Sequence, residues 1–189
     1  MDEVGVVSGR FQVLHIGHIE YLLSGKSKCK YLIVGVTNPD ESLTAFSPEN
    51  PHRSSPFANP LTYYERIRMI EGAMLEKGIS RKEFDIVPFP INFPNLIFNY
   101  VPKKAKHYMT IYDDWGHEKK RILESLSCLV IITDEKKIAS SSKIRNLIAS
   151  NEPWKHLVPE YVYKYIIEHS IDLRTQILYE EIFGSLRPL

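Results

Sequence analysis

Two histidines lie three positions apart in the segment Gly9–His18, whose sequence is GRFQVLHIGH. The segment follows a short apolar run and leads into residues with helical spacing, so His15 and His18 are expected at a helix N-terminus. Such an end directs free N–H groups and a positive dipole at an anion. Two imidazoles there could contact one phosphate. Taken alone, the pair is more often two unrelated surface histidines. A zinc site is less expected, because no further Cys, His or carboxylate cluster is obvious in the sequence.

A second polar cluster, Ser140–Arg145, has the sequence SSSKIR and precedes another amphipathic run. Serines at this position are typical helix caps. Lys143 and Arg145 add positive charge in the first turn, where the helix dipole disfavours cations. A bound polyphosphate would offset that repulsion. The alternative is a plain serine cap beside solvated basic side chains.

Short apolar runs alternate with helical patterns along the chain. Strands are predicted at Val4–Val7, Tyr31–Val36, Asp85–Phe89, His107–Tyr112 and Leu129–Thr133. This alternation predicts an α/β fold with a Rossmann-like open parallel sheet of about five strands flanked by helices. Ligands on such sheets bind at the carboxyl ends of the strands, near the reversal of strand order.

Helices are predicted at residues 17–24, from Thr62 onward, and at Trp115–Ser125, Ser142–Ser150 and Pro159–His169. Thr62 and Glu65 have the spacing of a capping box. An apolar stripe is predicted for the helix that follows, formed by Ile67, Ile70, Met74 and Leu75. We expect residues 1–150 to form the Rossmann-like domain and residues 151–189 a helical extension of it. The segment Pro39–Pro60 is predicted to be a long functional or mobile loop.

The composition excludes several classes of function. The 189 residues carry a net charge of only +1, so neither nucleic acid nor a membrane surface is an expected partner. No apolar run approaches the roughly 20 residues of a membrane span, and the acidic N-terminus is unlike a signal peptide. We therefore expect a cytoplasmic protein with reduced, buried Cys29 and Cys128. Neither G-x-G-x-x-G nor a P-loop motif is present, which argues against a dehydrogenase or P-loop kinase.

The two polar clusters together resemble the paired H-x-G-H and S-S-x-x-I-R motifs of the nucleotidyltransferase superfamily related to class I aminoacyl-tRNA synthetases. Three further segments are similar to archaeal-type nicotinamide-nucleotide adenylyltransferases: GRFQ, then Asn59–Ile70 (NPLTYYERIRMI), then Asn151–Val162 (NEPWKHLVPEYV). The resemblance spans roughly Val4–Ile167. It implies that nicotinamide mononucleotide attacks the α-phosphorus of ATP, giving NAD and pyrophosphate.

The resemblance also implies roles for individual residues. His15, His18, Arg10 and Arg145 would be catalytic, with the histidines on the triphosphate and the developing charge. Nucleotide-binding roles would fall to Gly9, Phe11, Gln12, Gly17, Ser140, Ser141, Ser142 and Ile144. Mg²⁺ would be the cofactor, bound through substrate phosphates rather than by a dedicated set of protein ligands.

Departures from the family are concentrated on the acceptor side. Val13 replaces a proline, Pro90 replaces an aspartate, and Ala58 stands where the family often has a basic residue. The residues we expect to contact the acceptor are Thr37, Asn38, Arg53, Asn92, Asn95, Phe98, Asp113 and Trp115. Asn95 and Phe98 match the family's nicotinamide-reading asparagine and tryptophan only if this segment has a one-residue insertion relative to the family. Asp113 and Asp114 could instead be acidic caps of a helix.

Two alternatives remain beside the adenylyltransferase. A cytidylyltransferase that uses CTP and a small phosphate or phosphonate would keep the same motifs, since base choice is often made by backbone groups near Ile132–Ile138. A non-catalytic nucleotide sensor is disfavoured by the intact motifs. Assembly into a homo-oligomer is also open: either Tyr161–Tyr165 or the tail Asp172–Phe183 could form an interface, and the tail could equally pack on its own domain.

Overall fold

The computed structural model describes residues 1–40, 55–134, 136 and 138–184. Its centre is a five-stranded sheet in the order β3-β2-β1-β4-β5, in which every neighbouring pair is parallel. The strands are β1 (Asp2–Gly9), β2 (Cys29–Thr37), β3 (Phe84–Phe89), β4 (Lys106–Met109) and β5 (Leu129–Ile132). Strand order reverses between β1 and β4. The predicted Rossmann-like α/β fold is therefore confirmed, and its ligand crevice lies at the carboxyl ends of these two strands.

Six α-helices surround the sheet in the described residues. They are α1 (Ile16–Lys28), α2 (Tyr63–Glu76), α3 (Asp114–Ser125), α4 (Ser141–Ala149), α5 (Glu160–Glu168) and α6 (Ile171–Phe183). Short 3₁₀ turns lie at Pro56–Ala58, Arg81–Glu83, Pro94–Asn99 and Lys155–Leu157. None of the described helices combines the length and apolar composition that crossing a bilayer requires.

Helix α2 begins as predicted, and its predicted apolar stripe is correct except at Leu75. Thr62 Oγ1 accepts from the Glu65 backbone N–H, and the Glu65 carboxylate accepts from the Thr62 N–H, which completes the capping box. Ile70 and Met74 are buried and Ile67 packs against the core, whereas Leu75 is 48% exposed. The buried face extends instead to Arg66, Met69 and Ala73.

Two apolar clusters cover the two faces of the sheet. Val7 and Tyr108 belong to the larger one, which also contains residues from α1, α2, α4 and α5. Val6 and Met109 belong to the smaller one, on the side of α3 and the Pro94–Asn99 turn. Adjacent residues of one strand point to opposite faces, so this division follows from the alternation along β1 and β4.

The C-terminal helices pack on the same core as the sheet. Val162 and Ile166 of α5, with Ile171 of α6, are buried in the larger cluster. Arg174 Nη2 donates to both carboxylate oxygens of Glu65, at 2.7 and 2.8 Å. Residues 158–175 thus complete the core. Cys29 and Cys128 are buried free thiols, as expected.

Strand β4 ends three residues earlier than predicted, at Met109 rather than Tyr112. The Thr133 N–H donates to the Met109 carbonyl, and the Thr110 and Thr133 hydroxyls lie 2.9 Å apart. Beyond this point the chain leaves the sheet and begins α3, with Asp113 as its cap. The residues predicted as strand instead form part of the rim above the sheet.

Candidate active site

The loop after β1 is held by contacts that its sequence makes possible. Phe11 has a positive φ of 53° and its ring lies against Gly9, where an added Cβ would come within 2.9 Å of it. Gln12 is buried, and its amide bonds both backbone groups of Leu61. The peptide bond between Gln12 and Val13 is cis. This loop is therefore tied to the segment that precedes α2.

His15 and His18 form a stacked pair at the start of α1. Their ring centroids are 3.6 Å apart, and His15 Nδ1 accepts from the His18 backbone N–H at 3.2 Å. Phe11 packs edge-on against His18 at 5.1 Å. Burial, with added repulsion from His15, holds the pKa of His18 well below its usual range. The helix end therefore presents a neutral His18, and a nearby anion would raise its pKa again.

Helix α4 is fixed onto this loop by residues far away in the sequence. Ser141 Oγ donates to the Val13 carbonyl at 2.9 Å. Arg145 donates to the Gln12 carbonyl and, through Nη2, to Ser142 Oγ at 3.2 Å. A Cβ at Gly17 would lie 3.1 Å from Ile138 and 3.3 Å from His15, so a larger residue there would require these side chains to shift. The two sequence motifs thus form one surface.

Arg145 is a buried cation that has no acidic partner among the described residues. It is 3% exposed, and burial, together with repulsion from Arg10, lowers its pKa to about 10. Arg10, directly after β1, also lowers the pKa of His18 and of Arg66, so its positive charge acts on each of these groups. A buried unpaired charge is costly in the free protein. A polyphosphate at this point would offset that cost.

The remaining nucleotide-binding candidates take part in capping, core packing or close contacts of the loop. Ser140 caps α4 by accepting from the Lys143 N–H. Ile144 is fully buried in the core, so its side chain offers no surface to a ligand. Gly9 and Gly17 flank the loop closely enough that side chains there would collide. These assignments to nucleotide binding stay predictions.

Arg66 is a buried residue that the sequence analysis did not single out. Its guanidinium donates to the carbonyls of Arg10 at 3.1 Å, Thr37 at 2.8 Å and Asn38 at 2.7 Å. It therefore joins the loops that follow β1 and β2, and so supports both sides of the crevice. The available signal was its spacing: it stands four residues before the buried Ile70 on the same helical face.

The acceptor candidates are brought only partly together. Asn92 Nδ2 donates to Asn38 Oδ1 at 3.3 Å, which joins the ends of β2 and β3 beside Thr37. Asn95 is exposed, and the Phe98 ring lies 5.5 Å from Lys103 Nζ. Asp113 caps α3 and Trp115 lies in its first turn, 37% exposed. Arg53 lies outside the described residues.

A cleft of about 510 Å³ opens between the ends of β4 and β5. Its lining residues are Thr110, Ile111, Tyr112, Ile132, Thr133, Asp134 and Lys136. The cleft lies in the region, Ile132–Ile138, whose backbone groups are expected to select the base of the nucleotide. It has the size of a small-ligand pocket.

Two further residues that the sequence did not indicate, Lys119 and His107, lie beneath the crevice. Lys119 Nζ donates to the Ser8 carbonyl at 2.7 Å, and burial lowers its pKa to about 8. His107 is 2% exposed and both of its ring nitrogens lack a hydrogen-bond partner. The signal for Lys119 was again helical spacing, since it stands between the buried Gly116 and Leu123 of α3.

His107 makes stability depend on pH. Burial and the nearby Lys119 lower its pKa to about 4, against about 6.5 in an unfolded chain. Between these values the unfolded state binds the extra proton, so stability falls as pH decreases from about 6.5 to about 4. We expect this residue to contribute a loss of about 2 kcal/mol, measured by urea unfolding between pH 7 and pH 4.5. An unchanged pH slope in His107→Gln would contradict this.

Comparisons with known proteins place these features in context. The family model described as cytidylyltransferase-like matches residues 6–147. A phosphonoformate cytidylyltransferase from Streptomyces viridochromogenes is 44% identical over 174 residues, covering 90% of this chain and 94% of the relative. A nicotinamide-nucleotide adenylyltransferase from Saccharolobus solfataricus is 30% identical over 184 residues, covering 96% and 97%.

The fold is also that of a solved structure. A bifunctional NMN adenylyltransferase/ADP ribose pyrophosphatase from Francisella tularensis superposes with a TM-score of 0.69 at 16% identity. The match covers 100% of this chain and 58% of that one, so the present chain spans little more than half of that protein. At this identity the likeness speaks for the fold alone.

Proposed function

The chain belongs to the cytidylyltransferase-like family, and we propose that it transfers CMP from CTP to a small acceptor that bears a phosphonate or phosphate. Nucleotidyl transfer is common to its cytidylyltransferase and adenylyltransferase relatives, and the chain is a nucleotidyltransferase. The observation that carries the finer proposal is the 44% identity to the phosphonoformate cytidylyltransferase over 90% of the chain. The adenylyltransferase relative, at 30%, supports the alternative less strongly.

The acceptor side of the site favours a small anion over a nicotinamide nucleotide. A nicotinamide ring needs an aromatic face to stack on. Phe98, the candidate for that role, has its ring beside Lys103. Asn92 donates to Asn38 Oδ1, which joins the ends of β2 and β3. These contacts suit a compact acceptor whose binding relies on charge.

The proposed reaction is a single displacement at phosphorus. An anionic oxygen of the acceptor forms a bond to the α-phosphorus of CTP, and the bond from that phosphorus to the α,β-bridging oxygen breaks. The products are the CMP-linked acceptor and pyrophosphate, with no covalent enzyme intermediate. Negative charge shifts toward the bridging oxygen and the leaving pyrophosphate, so catalysis consists of positioning and charge stabilisation.

The described geometry suits this division of work. His15 and His18 are stacked at a helix N-terminus and would face the α- and β-phosphates. Arg10 and Arg145 would neutralise the β- and γ-phosphates, because Arg10 directly follows β1 and Arg145 donates to the Gln12 carbonyl of the same loop. Thr110 and Thr133 lie at the cleft between β4 and β5, where the base would bind.

Mg²⁺ is proposed to arrive with the triphosphate. Among the described residues, no three His, Cys, Asp or Glu side chains converge to hold a metal ion by themselves. The donors suited to Mg²⁺ would therefore be phosphate oxygens and water, and the ion would neutralise charge on the departing pyrophosphate. The protein's own contribution would be to place those phosphates.

Pyrophosphate release tests the proposal. The purified chain is assayed in MgCl₂ with CTP or ATP, each paired with phosphonoformate, methylphosphonate, phosphate, nicotinamide mononucleotide or nicotinic acid mononucleotide. We expect kcat/KM for CTP with phosphonoformate to exceed that for ATP with either mononucleotide by at least about 10²-fold. The reverse preference would assign the chain to adenylyl transfer. Release with no pair would favour a nucleotide-binding module.

A further inference from the structure

The gap between β1 and β4 holds a cation that the proposed reaction has not yet used. The two strands pair only at Gly5 with Lys106 and Val6 with His107, whereas β1 continues to Gly9. Beyond Val6 no ladder pairs join β1 to β4, which leaves an unpaired stretch between the two strands. Lys119 Nζ reaches this gap from α3 and donates to the Ser8 carbonyl at 2.7 Å. The ammonium thus lies where strand order reverses, immediately before the loop that carries the histidines.

Lys119 has donor hydrogens that its contact with Ser8 does not use. An ammonium group has three hydrogens to donate, and Ser8 accepts one. No carboxylate pairs with Lys119 in the part of the chain that the structure describes. By contrast Lys120, its neighbour on α3, pairs with Glu124 at 3.1 Å. Burial also lowers the pKa of Lys119 to about 8, as expected for a cation without a counter-charge.

His107 gives an independent indication that something polar belongs in this space. His107 is on the same face of β4 as Met109, two residues along the strand. The positive charge of Lys119 contributes to lowering the pKa of His107. Its neighbour on β3 is the ring of Phe89, with centroids 6.0 Å apart. Both imidazole nitrogens are buried without a partner. Buried polar atoms in folded proteins almost always have a partner, so a ligand group or a water bound with it is expected here.

We propose that Lys119 is an acceptor-binding residue that holds a second anionic group, such as the carboxylate beside a reacting phosphonate, with the imidazole of His107 hydrogen-bonding beneath it. This inference rests on the proposed function. The physical reason is charge: an acceptor with two anionic groups must approach a triphosphate that is itself negative. A cation on the far side of the acceptor offsets that repulsion and turns the phosphonate oxygen toward the α-phosphorus.

The test compares an acceptor that has the second anionic group with one that lacks it. Phosphonoformate carries a carboxylate next to its phosphonate, and methylphosphonate does not. We expect Lys119→Met to raise KM for phosphonoformate about 10- to 100-fold, the cost of one charge-assisted hydrogen bond. KM for CTP should stay within about twofold, and the preference for phosphonoformate over methylphosphonate in kcat/KM should collapse.

Two further variants separate charge from folding. Lys119→Arg keeps the charge and should retain most of the preference. Lys120→Met removes a neighbouring cation from α3 and should leave all constants unchanged. Calorimetric titration of phosphonoformate into each variant, with CTP replaced by a non-hydrolysable analogue, gives the same comparison without turnover.

The outcomes distinguish this inference from the function on which it rests. If wild type releases pyrophosphate with CTP and an acceptor, but Lys119→Met keeps the wild-type preference between the two phosphonates, the inference is wrong and the function stands. An equal rise in KM for CTP and phosphonoformate also overturns it. If wild type turns over no CTP–acceptor pair, the proposed function fails first.

Discussion

Replacing His18 with alanine is expected to lower kcat for pyrophosphate release by about 10² to 10³, the usual cost of removing one transition-state donor. KM for CTP should change far less. His18 lies in the first turn of α1, stacked on His15 and packed by Phe11, and burial keeps it neutral in the free protein. Its imidazole is thus oriented before the substrate arrives. A group held this way stabilises charge that develops in the transition state without reorganising.

Steady-state kinetics with varied CTP measure this effect. His18→Asn is the companion variant, because it keeps a polar side chain of smaller size and limits the cavity beside Phe11. His156→Ala, at an exposed histidine in the Lys155–Leu157 turn, is the control and should be silent. A large rise in KM with kcat unchanged would instead make His18 a residue of ground-state binding.

Replacing Arg145 with methionine is expected to lower kcat/KM for CTP by about 10²-fold or more, since charge-assisted hydrogen bonds to phosphate are each worth about 1.5–3 kcal/mol. The free protein should lose little stability. The mutation leaves the Gln12 carbonyl without its donor, but it also removes a buried cation that has no acidic partner among the described residues. These two effects have opposite signs and similar size.

Thermal unfolding with and without CTP separates the two roles. Wild type should gain stability on binding CTP, and Arg145→Met should lose most of that gain while its Tm without ligand stays within a few degrees of wild type. Arg121→Met is the matched control, because Arg121 lies on the exposed side of α3 and pairs with Glu118. A CTP-induced shift equal to that of wild type would show that Arg145 acts only in the transition state.

The contrast between Arg145 and Arg66 explains why buried arginines in one site need not have one role. Arg66 is 2% exposed, yet its guanidinium donates to the backbone carbonyls of five residues: Arg10, Thr37, Asn38, Pro39 and Thr62. The guanidinium nitrogens of Arg66 therefore already donate to the protein backbone. Arg145 has a single backbone acceptor and an unpaired Nε. The arginine with unused donors is the one expected to meet the triphosphate.

The amino-acid sequence alone was sufficient for the five strands, the helices up to α5 and the capping box at Thr62. Each of these depends on local chemistry, whereas the pairing of the two motifs came from the resemblance to a known superfamily. Periodicity separates strands from helices, and caps satisfy N–H groups within one turn. The superfamily followed from residue types at fixed spacing in Gly9–His18 and Ser140–Arg145.

Tertiary structure decided what each side chain contacts. Ser141 and Arg145 meet the Gln12–Val13 backbone only because the parallel sheet brings α4 to the end of β1. Lys119 reaches the Ser8 carbonyl for the same reason, since β1 and β4 are neighbours across the reversal of strand order. Contacts between residues more than 100 positions apart depend on the packing of whole elements, which local periodicity does not encode. The reaction class was therefore readable from the motifs, while the groups that surround the acceptor emerged only in the folded chain.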